Sequence, residues 1–488
     1  MKTIFSNYLF LALLAFISVA ILSGCGKKEE LKPVSPEYSA ANQTATITAV
    51  GDVWYKGNLH THANNDSDAD TDPLTVARWY RDHDYDFLVI SSHNKFSTFA
   101  SVQSTIDAEN AAAGRKKFLL IPGEEVTDKY GTKNIHLGAI NISAVVPTQG
   151  GTSIPNVIQR DLDAINSAGG LPILNHPNLG VGIAADDAHA VRNLKLIEIV
   201  NGNPDANGAG LPPMGVYWDD LLSRPHAIWG VATDDAHNFQ AFGPDYSNPG
   251  RAWIQVSAPS LTAANIVAAL RTGNFYASTG VTYSNVSTAN NIMSMTLSGA
   301  GPFTTTFIGK NGVTLKTDNT SNPSYTLPAE GQLYVRAKTN APNGSAWTQP
   351  LYDKSYIVDN VGSGFSASAN WVIGSAGTDK YKTNYHYRST FNGSPDRASF
   401  TVGTAHTGDF DIYAWWSVGT AGNRTPEAHY FLPDGQEVIV DQRINGGKWN
   451  YLGTVRFNAE GDHTVQLAAG GPAGYAVIAD AVMMYGPK

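Results

Sequence analysis

The chain has 488 residues, 42% of them apolar and only 15% charged, with a net charge of −9. That length exceeds one ordinary core and fits two to four domains, and the composition excludes a disordered chain or a coiled coil. The acidic balance argues against a large basic surface, so no stable nucleic-acid complex is expected; a small charged substrate stays open, because bound cations reverse a local field.

The chain begins with Lys2, an apolar run from Ile4 to Leu22, and then Leu22-Ser23-Gly24-Cys25. Cys25 is the only cysteine, so no intramolecular disulfide can form. It stands where the lipobox of a bacterial lipoprotein signal places the residue that is acylated after cleavage. Residues 1–25 are therefore expected to be a lipoprotein signal peptide with Cys25 as the lipidation site. The mature protein is expected to be exported and held to a membrane by that lipid. Gly26 replaces the Asp of an inner-membrane retention signal, which favours the outer membrane and periplasm or the cell surface. Residues 26–48, rich in Lys, Glu, Pro, Ser and Ala, read as a flexible tether.

From 49 to 280 short apolar runs alternate with helix-like segments. The runs are Asp86–Ile90, Lys117–Ile121, Leu171–Leu174, Leu194–Val200 and Ile228–Val231, and Pro73–His83 and Ile154–Ala168 have amphipathic helical spacing. Buried strands alternating with helices predict an α/β fold with a largely parallel sheet. After 281 the pattern changes to short alternating strands separated by Gly, Asn, Ser and Pro turns, as in β-sandwiches. A break near Asp353 divides this part into a small β-sandwich domain over 281–353 and a second over 354–488.

Metal-capable side chains fall beside nearly every predicted strand of the α/β part. His60 and His62 follow Val53–Leu59, His93 follows Phe87–Ile90, and Glu125 follows Phe118–Ile121. His136 opens Leu137–Ile142, His176 follows Leu174-Asn175, and Asp235 and His237 follow Trp229–Val231. In an α/β barrel, residues at the C-terminal ends of the strands converge on one face, as a multinuclear metal site needs. Six imidazoles with carboxylates and no thiolate suit Zn, Mn or Fe and fit Mg or Ca poorly. His83, His189 and His226 carry no such placement and read as ordinary histidines.

These residues resemble, in order, the motif series of the PHP (polymerase and histidinol phosphatase) metal-dependent phosphoesterases. The matching pieces are His60-Thr-His62, Asp68, Ser-Ser-His93, Pro-Gly-Glu-Glu125, His136-Leu-Gly, Asn-His176-Pro and Asp235-Ala-His237, within about 50–280. The resemblance implies a distorted (β/α)7 barrel holding two or three divalent ions. One ion would take His60, His62, Glu125 and Asp235; a second would share Glu125 and take His136 and His176; a third would take Asp68, His93 and His237. His60, His62, Asp235 and His237 are the residues assigned to catalysis. Two departures qualify the match: Ser91-Ser92-His93 stands where the family has Thr-Asp-His, and Ser67-Asp68-Ala69 carries an apparent insertion. Asp66, Asp70 or Asp72 could therefore take the place of Asp68, and Glu124 is the alternative to Glu125.

Downstream, Arg271–Gly280 and the β-domain ending in Ala346-Trp-Thr-Gln-Pro350 resemble the extension of carbaryl-hydrolase-like PHP proteins. From about 355, Ile357-Val-Asp-Asn360, Trp415-Trp416, Gly447-Lys-Trp449 and Ala479-Asp-Ala481 resemble the golvesin C-terminal-like domain found beside xanthan lyases. That likeness implies carbohydrate as a partner, although Trp415, Trp416 and Trp449 read first as core.

The chemistry implied is hydrolysis of a small phosphate mono- or diester by metal-activated water. Nucleotide 3′,5′-phosphatase or 5′-3′ exonuclease activity falls within it. A carboxylic or carbamate ester substrate, and a non-catalytic glycan-binding surface lipoprotein, are the alternatives. Lys95 and Arg251 are candidate phosphate contacts, weighed against ordinary surface roles.

Overall fold

The computed structural model describes residues 53–179, 182–207, 213–223, 228–328, 333–391, 396–404, 406–419 and 422–487. The expected signal peptide, Cys25, the tether and His226 lie outside the described residues. Among the described residues no helix is long and apolar enough to cross a membrane.

The α/β part runs β1 (Val53–Asn58), α1 (Pro73–Asp82), β2 (Phe87–Leu88), α2 (Ala100–Ala113), β3 (Leu119–Leu120), β4 (Gly123–Tyr130) and β5 (Lys133–Ile140). It continues through α3 (Ile154–Ser167), β6 (Leu171–Leu174), α4 (Ala185–His189), β7 (Leu196–Asn201), α5 (Met214–Leu222), β8 (Trp229–Thr233), β9 (Trp253–Ala258), α6 (Ala263–Thr272) and β10 (Phe275–Ser278). Local chemistry explains the helix starts. Asp72 caps α1 by accepting from the Leu74 and Thr75 amides ahead of Pro73, and Ser153 caps α3 by accepting from Asn156. Val157, Ile158, Leu162 and Ile165 form the buried stripe of α3, and each such side chain contributes roughly 1.5–3 kcal/mol by leaving water.

The sheets are mixed rather than largely parallel. β1, β2 and β3 pair in parallel, but β1 also pairs antiparallel with β9, and β9 with β10. The second sheet has the order β4-β5-β6-β7-β8, antiparallel as far as β6 and parallel beyond it. Of the expected distorted (β/α)7 barrel, the described residues form the mixed α/β sheets but no closed ring of strands. Among the described residues the strands of the two sheets are linked by isolated bridges, Thr61 to Ala236 and His93 to Glu125, with Ser97 to Gly123 beside the latter, and Phe87, Ile254, Ile173 and Val231 pack in a core that both sheets share. The physical reason is local: at these seams the chain turns out of strand geometry to present side chains, as the left-handed backbone of Asp235 (φ 49°) shows.

β10 pairs with Gly344–Thr348, so the first sheet runs on into the strands after 281. Further on, a four-stranded sheet of Ser355–Asp359, Ala481–Tyr485, Gly408–Trp415 and Asn450–Phe457 faces a five-stranded one built on Arg397–Thr404 and Gly461–Ala468. Phe400, Phe410, Ile412, Trp416, Val465 and Met484 are buried in their shared core. Trp415 and Trp449 are half-buried and pack edge-on against each other beside Tyr381.

Candidate metal centre

His60 and His62 leave β1 two residues apart, so their side chains share one side of the extended chain. Two backbone bonds, Asp235 N–H to His60 O and His62 N–H to Ala236 O, both 2.9 Å, zip this end to the turn after β8. That turn delivers Asp235 and His237. His93 follows β2, and His176 follows β6. Glu125 and His136 differ from expectation: they lie inside β4 and β5, not beyond a strand end. Glu125 pairs with Gly138 and Thr127 with His136, so the two ligand-type residues are diagonal neighbours on one face of a hairpin.

All nine expected residues come together. Among the described residues, four groups have ligand atoms within 4.8 Å of one another: His62, Asp68, His93 and His237; His60, His62 and Asp235; His60, Glu125 and His176; His93, Glu125 and His136. The neighbourhoods overlap more than three separate ligand sets would. His62 joins the Asp68 group, and His93 reaches Glu125 as well as Asp68, at 2.9 and 3.1 Å.

The geometry tests whether cations fit. His60 Nδ1 is 2.7 Å from Glu198 Oε1, so a neutral ring would carry its proton there and its lone pair on Nε2. That Nε2 faces Asp235 Oδ1 at 3.1 Å, Glu125 Oε1 at 3.3 Å and His62 Nε2 at 3.1 Å. Between two carboxylate oxygens that nitrogen either holds a proton or ligates a cation. Glu125 Oε2 and both ring nitrogens of His136 are buried without a hydrogen bond, although His136 Nδ1 is 3.2 Å from Glu125 Oε1. Close approach without hydrogen-bond geometry, in a buried set of imidazoles and carboxylates, fits bound metal ions.

The titration behaviour has the same origin. Burial opposes protonation of His60, yet the charges of Asp235, Glu125 and Glu198 hold its pKa well above the usual imidazole value. Burial likewise opposes ionisation of Glu125 and Asp235, but the surrounding imidazoles keep both well below the carboxylate range. His93 rises to about 10 against its burial, because the Asp68 and Glu125 carboxylates lie beside its ring. The pocket thus attracts positive charge.

The alternatives differ in placement. Glu124 points to the opposite side of β4, where it accepts from the Val146 amide. Asp66 accepts from His62 Nδ1 and from the His93 amide, at 3.2 and 3.0 Å. Asp70 accepts from the Phe239 amide, Asp72 caps α1, and Asp68 alone of the four enters a ligand group. Lys95 donates to Asn65 O, and Arg251 donates to Gly202 O and Gly243 O, so both serve the backbone. His83 stacks on Trp79 outside the cluster.

Supporting residues were missed in the sequence. Glu198 accepts from His60 Nδ1, the His176 amide, Asn201 Nδ2 and Thr233 Oγ1, at 2.7, 2.7, 2.9 and 2.6 Å. Its signal was available: it is one charge inside the apolar run Leu196–Val200. Asn175 donates to Glu125 Oε1 at 2.9 Å. Asp234 accepts from the amides of Gly250, Arg251 and Ala252 and from Tyr80, which anchors the loop after Asp235. Asn175 stands within the Asn-His176-Pro motif, whereas Asp234 has no sequence pattern that separates it from a surface polar residue.

Comparison with known proteins places part of the chain. Residues 356–486 match the golvesin C-terminal domain model. A xanthan lyase of Bacillus sp. (strain GL1) is 32% identical over 143 residues, covering 26% of this chain and 14% of that enzyme. A two-domain protein of Bacteroides vulgatus containing a predicted PHP-like metal-dependent phosphoesterase is 16% identical and covers 64% of this chain and 98% of its own, with a TM-score of 0.35. A family 35 carbohydrate-binding module of Clostridium thermocellum is 15% identical and covers 27% and 98%, with a TM-score of 0.22. Residues 356–486 are thus similar to golvesin C-terminal domains and are carried behind an α/β body whose interior holds linked histidine and carboxylate clusters.

Proposed function

We propose that this chain is an exported, lipid-anchored metallohydrolase that cleaves phosphate mono- or diesters. His60, His62, Asp68, His93, Glu125, His136, His176, Asp235 and His237 would hold two or three divalent ions, with His60, His62, Asp235 and His237 closest to the chemistry. When bound, such ions supply an activated water and offset charge on the phosphoryl oxygens. The observation that supports this reading is the overlap of four ligand groups, two of which share the buried carboxylate Glu125, with both ring nitrogens of His136 buried and without a hydrogen bond.

The chain's own groups do the remaining work. Glu198 fixes the His60 ring so that Nε2 presents its lone pair inward. Asn175 orients Glu125, and Asp66 holds the His62 ring from behind. No serine or cysteine nucleophile is required by this arrangement.

The test is elemental analysis of the purified protein together with a panel of p-nitrophenyl phosphate, bis-p-nitrophenyl phosphate and p-nitrophenyl acetate. At least two metal equivalents and chelator-sensitive turnover of a phosphate ester are expected. Turnover of the acetate alone would move the substrate to carboxylic or carbamate esters, and protein without metal or turnover would leave a glycan-binding lipoprotein. Carbohydrate is the partner proposed for residues 356–486, read by retention on immobilised xanthan.

A further inference from the structure

A cavity of about 680 Å³ opens beside the metal centre, between α5 and the strands Tyr334–Ala341 and Gly344–Thr348. Asn201 belongs to both places. Its Nδ2 donates to Glu198 Oε2 at 2.9 Å and to Asp235 Oδ2 at 3.3 Å, and the same residue lines the cavity. The far wall comes from the β-strands after 281 and carries Arg336, Lys338 and Trp347, opposite Met214 and Trp218.

The charges in this cavity are unequal. Asp219 is consumed by Arg336, which donates from Nε and Nη2 at 2.7 and 2.6 Å, and by the Tyr334 hydroxyl at 2.8 Å. The Arg336 guanidinium also lies over the Trp218 ring, its carbon 4.9 Å from the ring centroid. Lys338 is different. It is half-buried, its ammonium lies 5.4 Å from the Trp347 ring centroid, and no acidic side chain among the described residues pairs with it. Burial and the neighbouring Arg336 both lower its pKa, as they do for an ammonium lacking a counter-ion. Asp219 and Arg336 cancel, so the cavity keeps one uncompensated positive charge at the end of an apolar, tryptophan-walled slot.

We infer that this cavity receives the part of the substrate beyond the scissile bond, and that Lys338 selects substrates carrying a second anionic group there. The class is an ester whose apolar ring or chain ends in a carboxylate, sulfonate or further phosphate. A charge-assisted hydrogen bond from a half-buried ammonium discriminates strongly, because a neutral substrate leaves it unpaired. This rests on the hydrolase reading above, with the ester bond placed at the metal centre and the second anion at Lys338.

The test uses the full chain with its metal, comparing phenyl phosphate with 4-carboxyphenyl phosphate. Lys338→Met is expected to raise KM for the carboxylated ester about tenfold and leave phenyl phosphate within about twofold, while Lys338→Arg retains most of the preference. A separate titration of 4-hydroxybenzoate into the protein, followed calorimetrically, reads the cavity without turnover. Binding to the wild type that weakens about tenfold in Lys338→Met supports the assignment. If neither ester is hydrolysed the hydrolase reading fails, and the titration still decides the cavity. No binding of 4-hydroxybenzoate to the wild type, or equal binding to both proteins, would overturn the proposal. Should Lys338→Met not fold, Lys338→Gln carries the same comparison.

Discussion

Replacing Glu198 with glutamine probes the centre through a residue that enters none of the ligand groups. The carboxylate is 1% exposed and accepts four hydrogen bonds, two of them at 2.7 Å, from His60 Nδ1 and the His176 amide. A glutamine amide keeps one acceptor oxygen. If that oxygen serves His60 and Thr233, its NH2 group faces the His176 amide and Asn201 Nδ2, two donors with nothing to accept them. Each buried donor left unsatisfied costs about 1–3 kcal/mol, so Glu198→Gln should destabilise the α/β body by about 2–6 kcal/mol. Loss of a group that orients a ligating imidazole should also weaken metal binding by about 10–100-fold. Chelator competition measures the second effect, and the urea midpoint of the chelated protein measures the first. Metal affinity within about twofold of wild type, with an unchanged midpoint, would refute the idea that Glu198 sets the His60 tautomer.

Three further outcomes test separate parts of the structure. Glu125→Gln should lose most bound metal on elemental analysis, whereas Glu124→Gln should retain it, because Glu124 only accepts from the Val146 amide on the other face of β4; equal losses would contradict the placement. Asp480 is buried in the C-terminal domain, and burial, reinforced by the charges of Asp359 and Asp379, raises its pKa to about 8. The folded carboxyl then holds a proton that an unfolded one releases near pH ~4, so stability falls as pH rises between these values and stays low above them. Asp480→Asn should flatten that decline in calorimetric scans from pH 5 to pH 9; an unaltered slope would rule out Asp480 as its source. Gly57→Ala should destabilise the β1–β2 pair by more than ~2 kcal/mol in thermal unfolding, because an added Cβ would lie 2.1 Å from the Phe87 ring.

The sequence by itself determined which side chains are available and where along the chain they fall. The helix over 154–167 was legible because its apolar residues recur at helical spacing behind a serine cap, and the strand over 171–174 because it is a short apolar run bounded by turns. Eight of the nine clustered residues were legible because they stand beside successive strands in a recurring order, whereas Asp68 came only with the motif resemblance. α2 was not, since it buries only Ile106 and Asn110 and so leaves almost no periodic trace. Tertiary structure alone decided how the ligand groups overlap, which acids face inward, and that Glu198 sits behind His60, 138 positions away in the chain. It also decided that the sheets stay unclosed at the metal centre and that strands after 281 wall the neighbouring cavity. The reason is physical: spacing along one strand or helix sets which face a side chain occupies, but only the packing of distant strands sets what that face meets.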